Sequence, residues 1–168
     1  MSLEFGAAGG YWWFMRRLLI WLALAGGLAA AGAAPAATGR VIKVLPQFVD
    51  LKGRDSLSPS LYQRDAYQAI LREHTNQCSG MRFMVQWKAK GQPAAPLKLR
   101  VELRGVARGD YPKRLVLEKP VEAGGRYSHW TEIKLAGDDY KNLGEVTAWR
   151  VTLWGGTELL GEQQSFLW

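Results

Sequence analysis

Cysteine is almost missing from this chain: Cys78 is the only one in 168 residues. A lone cysteine excludes an internal disulfide, so the fold has to be held by an apolar core. Histidine is nearly as scarce, with His74 and His129 alone. That is too little for a closed zinc site, which takes four ligands. His74 and Cys78 stand four apart, a metal-binding spacing only if both share a helical face. The polar Thr75-Asn76-Gln77 between them reads as a helix end instead. No Gly-x-Ser-x-Gly elbow serves serine catalysis, and no glycine-rich loop cradles phosphate. Cys78 as a nucleophile would need a base and an orienting third group, and no motif supplies either. Asp138 and Asp139 follow Gly137 and read as turn chemistry, with too few oxygens nearby in sequence for calcium. No internal repeat is evident. These absences predict a non-enzymatic chain without metal or cofactor.

The start of the chain is its most informative stretch. Arg16 and Arg17 precede an apolar run over 18–34, which ends in alanine-rich sequence before Pro35. A positive n-region, an apolar core and small-residue cleavage sites (Ala31-Gly32-Ala33 and Ala34-Pro35-Ala36) make an export signal. Residues 1–36 are assigned to it, and Met15 is an alternative start to Met1. Nothing before Cys78 can carry a lipoprotein modification. General secretion fits better than twin-arginine export, because no polar n-region surrounds the arginine pair. The alternative is an uncleaved N-terminal helix that anchors the protein. Its weight is lowered by the alanine and glycine in the second half of the run. The expected location is periplasmic or extracellular, with membrane contact only through a retained leader.

The remainder, 37–168, is long enough for one domain. The whole chain holds 22 basic and 15 acidic residues; without Arg16, Arg17 and Glu4 the remainder holds 20 and 14, a net +6. Outside the cytoplasm such an excess points to anionic envelope material or acidic proteins as neighbours, or simply aids solubility. Nucleic acid is not an expected partner of an exported chain.

The pattern beyond Gly39 is one helix among many strands. Val41–Asp50 reads as a first strand, interrupted or ended near Pro46 because proline cannot donate to a ladder. Ser58-Pro59-Ser60 opens a helix near 59–74, capped by Ser58 or by Ser60 with Gln63. Tyr62, Ala66, Ala69 and Ile70 fall on one of its faces. Phe83, Val85, Trp87 and Ala89 alternate with polar residues, as do Leu97, Leu99, Val101 and Leu103. The two segments read as a hairpin of half-buried strands. Further strands are expected at Arg114–Lys119, Tyr127–Leu135, Glu145–Trp154 and Glu158–Trp168, with a hairpin turn at Gly155-Gly156. The expectation is a mainly β fold: a single antiparallel β-sandwich of about seven strands, with one inserted helix, behind a signal helix.

With Trp87 on an early central strand and Tyr140 just before the penultimate one, the segment 41–168 resembles immunoglobulin and fibronectin type III sandwiches in architecture. It departs from them in lacking a cysteine pair around Trp87 and in carrying the extra helix. Fold class does not assign function.

Two surface features suggest recognition. In a β hairpin, Arg82, Lys88, Lys98, Arg100 and Arg104 would point outward together, with Glu102 their only acidic companion. Like charges on neighbouring strands repel, and an anionic partner would offset that. Trp130 and Trp154 are expected to point outward, and exposed tryptophan stacks on sugar rings or anchors interfaces. The expected function is a binding or scaffold module of the cell envelope, recognising a protein or an anionic envelope polymer through the basic face. A carbohydrate-binding module using Trp130 and Trp154 is the alternative. An enzyme using Cys78 is a second one.

Overall fold

A computed structural model describes residues 37–91, 95–107, 112–122 and 127–168, all within one compact unit. The export-signal reading of 1–36 lies outside the described residues. Among those described, no helix is long and apolar enough to cross a membrane.

Among the described residues the fold is mainly β, with seven strands in two antiparallel sheets and two helices. The elements run β1 (Thr38–Asp50), α1 (Leu61–Glu73), a 3-10 turn (Thr75–Gln77), β2 (Cys78–Lys90), β3 (Leu97–Val106), β4 (Pro112–Val121), β5 (His129–Ala136), α2 (Gly137–Leu143), β6 (Glu145–Gly155) and β7 (Glu158–Gln164). One sheet has the order β1-β2-β5 and the other β4-β3-β6-β7. Period-two alternation gives each strand one apolar face. Those faces meet in one core, which includes Phe83, Val85 and Trp87 from the first sheet and Leu99, Val101 and Val151 from the second. Each such fully buried side chain contributes about 1.5–3 kcal/mol. Trp87 is buried with its polar atom satisfied: Nε1 donates to Thr131 Oγ1 at 2.9 Å.

The expected β2–β3 hairpin does not form. The two strands belong to different sheets, β2 to the first and β3 to the second. Alternation says which face of a strand is apolar, not which strand it pairs with. Sheet partners are instead β1 and β5 for β2, and β4 and β6 for β3.

β1 also runs through Pro46, which pairs with Phe83. It is an edge strand, and the Phe48 N–H points away from β2 to Gln68. Pro46, two residues earlier, therefore places its missing N–H on that same unpaired side. β4 likewise contains Pro112 and Pro120 and forms an edge. β7 ends at Gln164, short of the expected Trp168. Asp138 and Asp139 lie in the first turn of α2 rather than in a simple turn, where carboxylates suit the positive end of a helix.

α1 docks on the β1 edge by its polar side. Gln68 Oε1 accepts the Phe48 N–H at 2.7 Å, and Gln68 Nε2 donates to the carbonyls of Phe48 at 2.9 Å and Asp55 at 2.7 Å. The side-chain amide thus stands in for a further strand. Leu71 is buried, whereas Tyr62, Ala66, Ala69 and Ile70 share a face that is exposed, Tyr62 at 83 % and Ile70 at 48 %. Ser60 is the N-cap residue but makes no side-chain cap bond; Ser58 Oγ accepts the Ser60 N–H at 3.2 Å instead.

Asp50 ties this region together. Its carboxylate accepts the N–H groups of Lys52 and Arg54 and the Tyr67 hydroxyl, each at 2.8 Å, and pairs with Arg54 at 2.9 Å. The backbone bond from Arg54 leads these in holding the carboxyl down at about 2. At the opposite corner β7 approaches β1 so closely that a Cβ on Gly161 would sit 2.8 Å from Arg40 Cα. Only glycine allows that approach.

Candidate basic groove

The five basic residues singled out from the sequence do not share a face. Arg82 and Lys88 lie on the outer side of β2 in the first sheet, and Lys98, Arg100 and Arg104 on the outer side of β3 in the second. Most of them are already engaged. Arg82 pairs with Asp55 and lies 3.6 Å from Glu132, while its Nε donates to Gln47 Oε1 at 3.0 Å. Lys98 pairs with Glu118 at 2.9 Å. Arg100 lies 3.3 Å from Glu102, which also holds Arg150 at 3.0 Å. These pairs neutralise the Lys98–Glu102 stretch of the second sheet.

The far end of β3 is different. Arg104 stands directly opposite Arg114 of β4 in the strand register, with Lys113 next to it opposite Gly105. Among the described residues none of the three cations forms an ion pair, in contrast to Lys98, Arg100 and Arg150. They border a groove of about 530 Å³, walled on its apolar side by Val106, Pro112 and Leu167. Arg104 Nε is shut off from solvent and finds no acceptor among the described residues. Its guanidinium lies over Trp168, whose ring centroid is 4.1 Å from Arg104 Cζ and 5.0 Å from Arg150 Cζ. This cation–π contact positions the Arg104 side chain at the rim of the groove.

The segment that delivers Trp168 is anchored by the sheet. Ser165 Oγ accepts the Trp149 N–H at 3.0 Å, and the Ser165 N–H donates to the Trp149 carbonyl at 2.9 Å. A turn then brings the Trp168 N–H to the Ser165 carbonyl at 3.2 Å. Lys113 and Arg114 are not among the basic candidates read from the sequence; their signal is the β3–β4 register, which only the paired strands reveal.

The two tryptophans also separate. Trp130 lies on the outer side of the first sheet and is 47 % exposed. Trp154 is half-buried on the second sheet, where its Nε1 donates to Thr152 Oγ1 at 2.8 Å. They cannot form one stacking platform.

Cys78 is buried at the foot of β2. Its Sγ donates to the Leu71 carbonyl at 3.3 Å. Burial pushes the thiol upward, with the Tyr140 hydroxyl donating to it as the smaller opposing effect. Tyr140 is itself pushed up to about 12, chiefly by burial. The His74 ring lies within reach of the Ile70 carbonyl at 3.2 Å, and His129 packs against Trp87 with centroids 5.4 Å apart. Among the described residues no three His, Cys, Asp or Glu side chains gather into a set that could hold a metal ion.

Comparison with protein-family models, with curated proteins and with solved structures returns no match for this chain.

Proposed function

We propose that this protein is an exported, non-enzymatic binding module of the cell envelope, and that it recognises an anionic partner (a carboxylate-rich protein segment or an acidic envelope polymer) in the groove bordered by Arg104, Lys113 and Arg114. The observation that carries this reading is the direct opposition of Arg104 and Arg114 with no carboxylate pairing them among the described residues. A like-charged cross-strand pair is unfavourable in the free domain, and an anion between the two guanidiniums offsets the repulsion with charge-assisted bonds. Cys78 supports the non-enzymatic part, since a buried thiol with raised pKa lacks the thiolate character of a nucleophile. The leader at 1–36 is the basis for export.

On this reading the fold is an immunoglobulin-like or fibronectin-like sandwich. Its first, second and fifth strands form one sheet and its third, sixth and seventh the other, with the fourth carried on the outside of the third. This order supports the reading: it is similar to the seven-strand immunoglobulin arrangement, with the fourth strand beside the third in the second sheet instead of beside the fifth in the first. The carbohydrate alternative rests on Trp130 alone.

The test is titration of the full chain with a fluorescein-labelled oligoglutamate peptide and with dextran sulfate. Arg104→Ser and Arg114→Ser should each weaken binding by about fivefold, the equivalent of ~1 kcal/mol per charged contact. Lys98→Ser, whose cation already has Glu118, should leave it unchanged. Equal losses for all three variants, or none for any, would overturn the assignment.

A further inference from the structure

The opposite sheet carries a second unpaired basic cluster, with a different composition. Arg40 of β1 pairs in register with Lys88 of β2, Thr38 with Lys90, and Lys43 with Gln86, which in turn faces Trp130 of β5. Arg40, Lys43, Lys88 and Lys90 thus share the outer face of the first sheet with a tryptophan that is 47 % exposed. None of the four forms an ion pair among the described residues. The nearest carboxylate on that face in register terms, Glu132, is held by Arg82 at 3.6 Å and Lys134 at 3.5 Å. A shallow depression of about 340 Å³ lies between Arg40, Lys88 and Lys90. By strand spacing, the distance from Lys43 to Trp130 is about 10 Å, and Gln86 to Lys90 spans about 13 Å. This patch and the Arg104 groove lie on opposite sheets and toward opposite ends of the domain.

We infer that this face docks on an anionic phospholipid bilayer. Four cations on one flat sheet surface complement lipid phosphates, and each adds about fivefold to partitioning onto an anionic membrane. Tryptophan prefers the headgroup level of a bilayer, where its ring is apolar and its N–H wet. A soluble polyanion would use the cations but has no need of Trp130. The inference is independent of the groove, which then faces away from the bilayer.

The test reconstitutes the full chain in phosphatidylcholine vesicles with and without phosphatidylglycerol, each containing bromolipid as a quencher. Subtracting the signal of the Trp130→Phe variant isolates Trp130 from the other tryptophans. In phosphatidylglycerol vesicles the Trp130 component should be quenched by about half or more. The quenching should vanish in the Arg40→Ser, Lys88→Ser, Lys90→Ser triple variant and at about 0.5 M salt, where the Debye length falls to a few ångströms. Arg114→Ser should leave it intact, which separates this result from any failure of the groove. All these substitutions change surface side chains, and an unchanged near-ultraviolet dichroism spectrum confirms the core. Equal quenching in pure phosphatidylcholine, or none with phosphatidylglycerol, overturns the inference. So does dextran sulfate binding that depends on these cations while Trp130 stays unquenched by lipid.

Discussion

Replacing Arg114 by serine should make the free protein more stable while making it a poorer binder. Arg114 and Arg104 face each other across β3 and β4, and Trp168 holds the Arg104 guanidinium in place. Like charges directly opposite each other on neighbouring strands cost roughly 0.2–1 kcal/mol, the scale of a unit-charge repulsion in water-like surroundings. Serine removes that repulsion and disturbs no core contact, because Arg114 is exposed. For a domain of this size the gain corresponds to a rise of about 1–3 °C in melting temperature. The gain should shrink at high salt, where the repulsion is screened. Differential scanning calorimetry of the parent and Arg114→Ser, at low salt and at about 0.5 M salt, gives the number. A parallel titration with oligoglutamate gives the binding loss. A melting temperature that falls on removing Arg114, or a rise that salt does not diminish, refutes the reasoning. Either result means that Arg114 has a stabilising partner in the native protein and that the groove is not charged at rest.

Other outcomes follow from the same structure. Gln68→Ala should cost about 1–2 kcal/mol by leaving the Phe48 N–H and carbonyl without their side-chain partner, and hydrogen exchange at the Phe48 amide should accelerate; unchanged exchange would mean that α1 does not guard that edge. The Asp50 carboxyl lies at about 2 in the folded protein against an ordinary 3.8. The unfolded chain therefore takes up this proton first as pH falls. Its stabilisation is complete above about pH 5 and is lost as the pH drops through about 2. Thermal melts between these limits should be steeper in pH for the parent than for Asp50→Asn, and parallel curves would contradict the shift. Cys78 should resist iodoacetamide at neutral pH in the native state and react at an ordinary rate once denaturant unfolds the domain. Rapid native labelling would reopen a nucleophilic role.

Much of the fold is legible residue by residue. The alternation at 83–89 and 97–103 marks two strands and their inward faces, and every inward residue named there is buried. The hairpin at Gly155-Gly156 forms with Gly156-Thr157 as its turn, since Gly155 pairs with Glu158. Trp149, Val151 and Leu153 point toward the core as their spacing indicates. The helix is legible in extent, but the apolar face that periodicity selects is the exposed one. The polar contacts of Gln68 and Tyr67 with β1 residues, together with Leu71, decide its orientation.

The amino-acid sequence by itself determined the local quantities: which residues extend, which side of each strand is apolar, where glycine and proline turn the chain, and that no disulfide can help. These depend on neighbours a few positions apart. Tertiary structure alone decided which strands pair. That pairing placed β2 and β3 on opposite sheets, divided one imagined basic face into two clusters, paired Lys98 and Arg100 with acids, and left Arg104 opposite Arg114. Charge partnership is set by distances between residues far apart in sequence, and a one-dimensional pattern with period two carries no record of which strand lies alongside.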